Sequence, residues 1–69
     1  MTDNSYKILE YLKQHNRATA LEVSKALGIE KRLVDSYFSA AIAKAGMGVR
    51  TSDNPAKLEI NEKGMEYTQ

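Results

Sequence analysis

The sequence predicts a mainly α fold with a small β-hairpin, an α+β arrangement, and three observations carry that expectation. The stretch from Thr19 to Gly46 reads as two helices joined by a very short turn. Thr19 and Glu22 have the Ser/Thr-x-x-Glu spacing of a capping box, in which side chain and backbone satisfy each other's free N–H groups. Gly28 closes that helix, because glycine enters the left-handed conformation without a Cβ penalty. Helical periodicity then resumes: Val34, Phe38, Ala41 and Ala45 recur at spacings of four and three and form one stripe. Beyond Gly46 the period changes to that of strands, with Val49, Arg50 and Thr51 favouring extended chain and Lys57 to Ile60 alternating polar with apolar.

In chain order, Met1 and Thr2 are expected to fray, and Asp3, Asn4 or Ser5 can each cap a first helix over about residues 4–15. Ile8, Leu9 and Leu12 give this helix an apolar stripe, with Ser5 on the same side. Tyr11 falls opposite Leu9, as an exposed aromatic or a partner contact. Asn16 and Arg17 end the helix. The second helix spans about 20–27 and buries Val23 and Leu27, with Leu21, Glu22 and Lys25 nearer the surface. The third spans about 31–45. At about 100° per residue, Arg32, Ser36, Ser39 and Ala43 lie opposite Val34 on a small, polar outward face. Leu33, Tyr37, Ala40 and Lys44 line one flank. A hairpin over about 48–60 follows, with its turn in Ser52, Asp53, Asn54 and Pro55. Pro55 sits at the tip or edge, where its missing N–H does no harm. Asn61 can cap a last helical turn, with Met65 or Tyr67 folding back on the domain.

At 69 residues the chain suits one small domain over 1–69, of modest core and marginal stability. It has no cysteine and no cluster of metal-ligand types, so neither a disulfide nor zinc is expected to staple it. With 42% hydrophobic and 28% charged residues it has the composition of a folded domain. No apolar run approaches the ~20 residues of a membrane span, and MTDNSYKILE lacks the basic-then-apolar layout of a signal peptide. A cytoplasmic protein is the simplest expectation. His15 is the only histidine and has no second ligand or nucleophile at suitable spacing. Glu30 and Asp35 are too isolated to be an acid/base pair, and nothing resembles a phosphate loop. An enzyme is the least expected class, and no cofactor or metal is expected.

Two helices joined by a short turn that holds apolar Ile29 have the plan of a helix-turn-helix. With a helix before it and a hairpin after it, the chain resembles a three-helix winged helix-turn-helix domain from Tyr6 to Tyr67. The resemblance rests on EVSKALGI (Glu22 to Ile29), KRLVDSYF (Lys31 to Phe38), KAGM (Lys44 to Met47) and LEINEKGMEY (Leu58 to Tyr67). The last is similar to the wing exit of small prokaryotic or phage transcription regulators. ILEYLKQHN (Ile8 to Asn16) is also similar to Pap-type fimbrial-operon regulators. The family implies double-stranded DNA as partner, with the third helix in the major groove, and one or two residues of extended chain at Ala18. It also implies Ser or Thr just before that helix and three residues on, where this chain has Glu30 and Leu33. An acid at that end of a helix suits the helix dipole and opposes phosphate.

Within that frame Lys31 and Arg32 are the first candidates for DNA contact, because a recognition helix offers base edges its N-terminal residues. Arg reads guanine bidentately and Lys is a point charge for phosphate. Ser36 and Ser39 can hydrogen-bond bases or phosphates. Arg50 and Lys57 bracket the wing and can reach the backbone, or can pair across strands with Asp53 or Glu59. Lys25 can touch phosphate from the second helix. Net charge is only +1, with no basic block along the chain. Any positive face must therefore be made in three dimensions. The alternative is a winged-helix interaction module that docks on a protein partner or on a second copy through Tyr11, Leu33 and Tyr37, without binding DNA directly.

Overall fold

The apolar stripe of the first helix sets where the core lies. In the computed structural model, which describes residues 2–69, α1 (Asp3–His15) buries Ser5, Ile8, Leu9 and Leu12 completely. Thr2 does not fray: it is the N-cap, and its hydroxyl accepts from the Ser5 N–H and lies 2.9 Å from the Ser5 hydroxyl. Met1 lies outside the described residues. Asn16, at φ 69°, ends the helix, as a short polar side chain that tolerates positive φ can.

The chain then enters β1 (Arg17–Thr19), and Thr19 caps α2 (Ala20–Leu27). Both halves of the capping box are present: the Glu22 N–H donates to Thr19 Oγ1 at 3.2 Å and the Thr19 N–H to Glu22 Oε1 at 3.3 Å. Gly28 ends α2 in the left-handed conformation at φ 69°, its N–H bonded to the Ser24 carbonyl. Thr19→Ala should therefore cost about 1 kcal/mol, seen as a fall of roughly 4–8 °C in the thermal midpoint for a chain of this size.

The third helical stretch departs from the regular helix expected over 31–45. It begins as α3 (Lys31–Tyr37) and widens into six residues of π-helix, Phe38–Ala43, before Gly46 ends it at φ 75°. The i→i+5 bond from the Met47 N–H to the Ile42 carbonyl, 2.9 Å, belongs to that wider winding. Its consequence is a different buried stripe. Steps of four residues overshoot a regular turn by about 40° each, whereas wider turns rotate less per residue and keep Val34, Phe38 and Ile42 in line. These three are fully buried, and Ala41 and Ala45 are half-buried at the margin.

The wing is β2 (Gly48–Arg50) and β3 (Lys57–Ile60), joined by a turn that holds Pro55 in an exposed position. It is not a free two-stranded hairpin. The sheet has order β1-β3-β2, all antiparallel, with β3 in the middle. Ala18 faces Leu58 across β1 and β3, both buried, and Arg17 faces Glu59 in an ion pair of 3.2 Å. The link between α1 and α2 is thus one edge of the sheet that carries the wing.

Asn61 caps α4 (Glu62–Tyr67), accepting from the Gly64 N–H at 3.0 Å. Of Met65 and Tyr67, Tyr67 folds back onto α1, and neither is buried. Gly64 and Thr68 are the buried positions, while Met65 and Tyr67 stay exposed and the Tyr67 ring meets the edge of Tyr6 at 6.0 Å. The core gathers Ile8, Leu9, Leu12, Val23, Val34, Phe38, Ile42 and Leu58, with Met47 and Ile60 closing it beneath the wing. Among the described residues no helix is long and apolar enough to cross a membrane.

Candidate nucleic-acid interface

Burying Val34 and Phe38 turns the opposite side of the third helix to solvent. Arg32, Ser36 and Ser39 are all exposed, and neither serine hydroxyl has a protein partner among the described residues. Lys31 stands at the start of α3, also exposed. Glu30 occupies the N-cap position but its side chain caps nothing. It forms an ion pair with Arg32 at 3.4 Å between two exposed side chains. Such pairs are worth about 0–1 kcal/mol, so Arg32 is held loosely.

Arg50 is placed where the sequence did not point. The alternative to a backbone contact was a cross-strand pair with Asp53 or Glu59, but Glu59 pairs with Arg17 and the Arg50 guanidinium crosses to α3. Its Nη2 donates to the Asp35 carbonyl at 3.1 Å and to Asp35 Oδ1 at 3.4 Å, and its Cζ lies 4.9 Å from the centre of the Phe38 ring. The other carboxylate oxygen, Oδ2, accepts from Lys31 Nζ at 3.3 Å. Asp35 therefore ties the first turn of α3 to the wing, and it is the residue of this surface that sequence reasoning missed. The available signal was its i,i+4 spacing from Lys31; the contact from Arg50 depends on β2 running beside the π-helical residues and had no sequence signature.

Lys57 faces Thr19 across the sheet and is half-buried, its backbone exchanging bonds of 2.9 Å with Thr51. Lys25 is exposed on α2. Neither lysine forms an ion pair among the described residues. The structure thus brings Lys31, Arg32, Ser36, Ser39 and Arg50 onto one helix and the strand docked on it, with Lys57 one strand further along the sheet.

The candidates for a protein contact separate. Tyr37 is half-buried against the core and its hydroxyl accepts from Asn4 Nδ2 at 3.2 Å, which is ordinary packing. Tyr11 is likewise half-buried, stacks on His15 at 4.1 Å between ring centres, and lines a shallow cavity with Lys7, Glu10, Gln14 and Leu27. Only Leu33 of the three is exposed, at 40%. Among the described residues no three His, Cys, Asp or Glu side chains cluster as a metal ion would require.

Comparison with solved structures shows the fold. A MarR family protein from Bacillus stearothermophilus superposes with a TM-score of 0.89 at 17% identity, over 99% of this chain and 49% of that one. The transcriptional regulator Tm0710 from Thermotoga maritima superposes with a TM-score of 0.84 at 28% identity, over 94% of this chain and 47% of that one. The chain accordingly has a winged helix-turn-helix fold and spans about half the length of these two proteins. No protein-family model matches it, and no curated protein does.

Proposed function

We propose that this winged-helix chain is a DNA-binding transcription regulator, not an enzyme, which lays α3 in the major groove and sets the wing on the adjacent backbone. The observation that carries the reading is the outward face of the third helix. It is exposed along its length, begins with Arg32 beside the exposed Lys31, continues with two unpartnered hydroxyls, and is flanked by a strand whose arginine is already seated against the helix. Short polar side chains at these positions let a helix approach base edges closely, and Arg32 has the fork geometry that reads guanine. Lys25 and Lys57 lie where they would add phosphate contacts from α2 and the sheet. The likeness to a transcriptional regulator from Thermotoga maritima supports the same reading. It carries a cytoplasmic location with it.

Lys31→Ala combined with Arg32→Ala should weaken duplex binding by about 2 kcal/mol, measured by fluorescence anisotropy at about 50 mM salt. Folding stability should hardly change, since both ion pairs involved are exposed. A double variant that binds DNA as tightly as the parent would move the contact surface away from the third helix.

A second reading is a protein-docking or self-associating module, favoured by Leu33 standing exposed on the flank of α3 and Leu21 on α2. Sedimentation separates the two: a monomer at high concentration that binds duplex DNA supports the first, and self-association abolished by Leu33→Ser supports the second.

A further inference from the structure

We infer that Asp35 is a specificity-determining residue, an acid built into the DNA-facing surface that holds down sequence-independent affinity by occupying two of its cations. The inference rests on the DNA-binding reading and adds to it the residue that limits it. Three observations converge on this one carboxylate. Its two oxygens are divided between cations from different elements, Oδ2 to Lys31 of the helix at 3.3 Å and Oδ1 to Arg50 of the wing at 3.4 Å. Arg50 is fixed on two further sides, by the Asp35 carbonyl at 3.1 Å and the Phe38 ring at 4.9 Å, and its side chain is only 34% exposed. The remaining helix cation, Arg32, faces Glu30, so every basic residue of α3 and β2 has an acid beside it.

The physical consequence follows from counterion release. A protein gains sequence-independent affinity for DNA in proportion to the phosphates its cations neutralise. A cation already paired must give up its partner to do so, and the abandoned carboxylate then stands close to the phosphates. Asp35 exacts this twice, once for Lys31 and once for Arg50. Hydrogen bonds to base edges are untouched by the arrangement, because neither Arg32, which faces Glu30, nor the unpartnered hydroxyls of Ser36 and Ser39 bond to the Asp35 carboxylate. The ratio of specific to sequence-independent binding is raised as a result, which suits a chain of net charge +1. Asp35 also has a structural part, but that part runs mainly through its carbonyl, which no side-chain substitution removes.

Asp35→Asn separates charge from shape. The variant keeps the carbonyl contact to Arg50 and an oxygen able to accept a hydrogen bond, and loses the charge. Binding to a mixed-sequence duplex of about two helical turns should tighten roughly tenfold at about 50 mM salt, and the slope of log affinity against log salt should steepen by about 1–2 as one or two more phosphates are neutralised. Glu30→Gln is the control, because it changes net charge by the same amount but releases only Arg32, which is already 82% exposed. It should give well under half of that gain. A wild-type protein that binds while Asp35→Asn binds no more tightly, or a gain equalled by Glu30→Gln, overturns the role of Asp35 and leaves the DNA-binding reading standing. A wild-type protein silent at about 50 mM salt contradicts the DNA-binding reading as stated, and binding by Asp35→Asn alone would then still support the role of Asp35. Silence from both overturns both. Circular dichroism checks the fold, and Asp35→Ser is read the same way should the asparagine variant not fold.

Discussion

Phe38→Ala should lower the unfolding free energy by about 3–5 kcal/mol, a large fraction of the total stability of so small a domain. The ring is completely buried and is the largest side chain that is. A chain of this length is expected to have only roughly 3–10 kcal/mol of total stability, with no disulfide to limit the loss. The position also joins the third helix to the wing. One face of the ring carries the Arg50 guanidinium, and its edge closes on Gly48 of β2, where an added Cβ would lie 3.1 Å from Phe38 Cζ. Chemical denaturation followed by far-ultraviolet circular dichroism measures the effect. Phe38→Leu provides the comparison: it keeps most of the apolar bulk and forfeits the cation–π contact, worth about 0.5–1 kcal/mol for a cation near the surface. An alanine variant as stable as the parent would mean that the joint between helix and wing is not where the core is closed.

Gly48→Ala should cost about 3 kcal/mol, the upper end of what an extra methyl does in a tight site. The reason is a close approach and not a special backbone angle. A Cβ there would meet the Glu59 carbonyl oxygen at 2.6 Å, Ile42 Cγ2 at 3.0 Å and Phe38 Cζ at 3.1 Å. The two side chains can shift by a few tenths of an ångström; the carbonyl belongs to the neighbouring strand and cannot move without disturbing the β2–β3 pairing. Relieving the side-chain contact should therefore not rescue the variant. Gly48→Ala with Phe38→Leu is expected to remain nearly as unstable as Gly48→Ala in a denaturant titration, and a full rescue would place the strain in the ring instead of the strand. Either substitution should also loosen the wing from the third helix, so DNA binding should fall further than the unfolded fraction alone explains.

These two positions also show how far the sequence could be read. Local signals carried the helices, since a capping box, a left-handed glycine and a stripe at helical spacing act within a few residues. Thr19, Gly28 and Gly46 all behave as their chemistry predicts. The alternation of Leu58 and Ile60 with Lys57 and Glu59 likewise placed β3. Long-range pairing was not legible. The winged-helix resemblance implied a residue or two of extended chain at Ala18, but nothing in Arg17 to Thr19 itself marks three residues as a paired strand, because their pairing is supplied by β3, about forty residues away. Ile42 is not part of the stripe that a regular helix predicts, because regular rotation carries it away from Val34, and the π-helical turns bring it back. In the candidate site, the outward face of Arg32, Ser36 and Ser39 followed from periodicity. The seat of Arg50 on Asp35 and Phe38 did not, since it depends on which strand lies beside the helix.

In the proposed function the third helix and the wing meet duplex DNA together, and one experiment shows that surface residue by residue. Backbone amide resonances of the 69-residue chain are followed during titration with a mixed-sequence duplex at about 50 mM salt, where sequence-independent binding is strong. Shifts are expected to concentrate in residues 31–39 and 49–57, with smaller changes near Lys25 and little movement along the Lys7, Tyr11 and Gln14 side of α1. Resonances that stay still throughout, or shifts gathered on α1 and α4 instead, would contradict the proposed function.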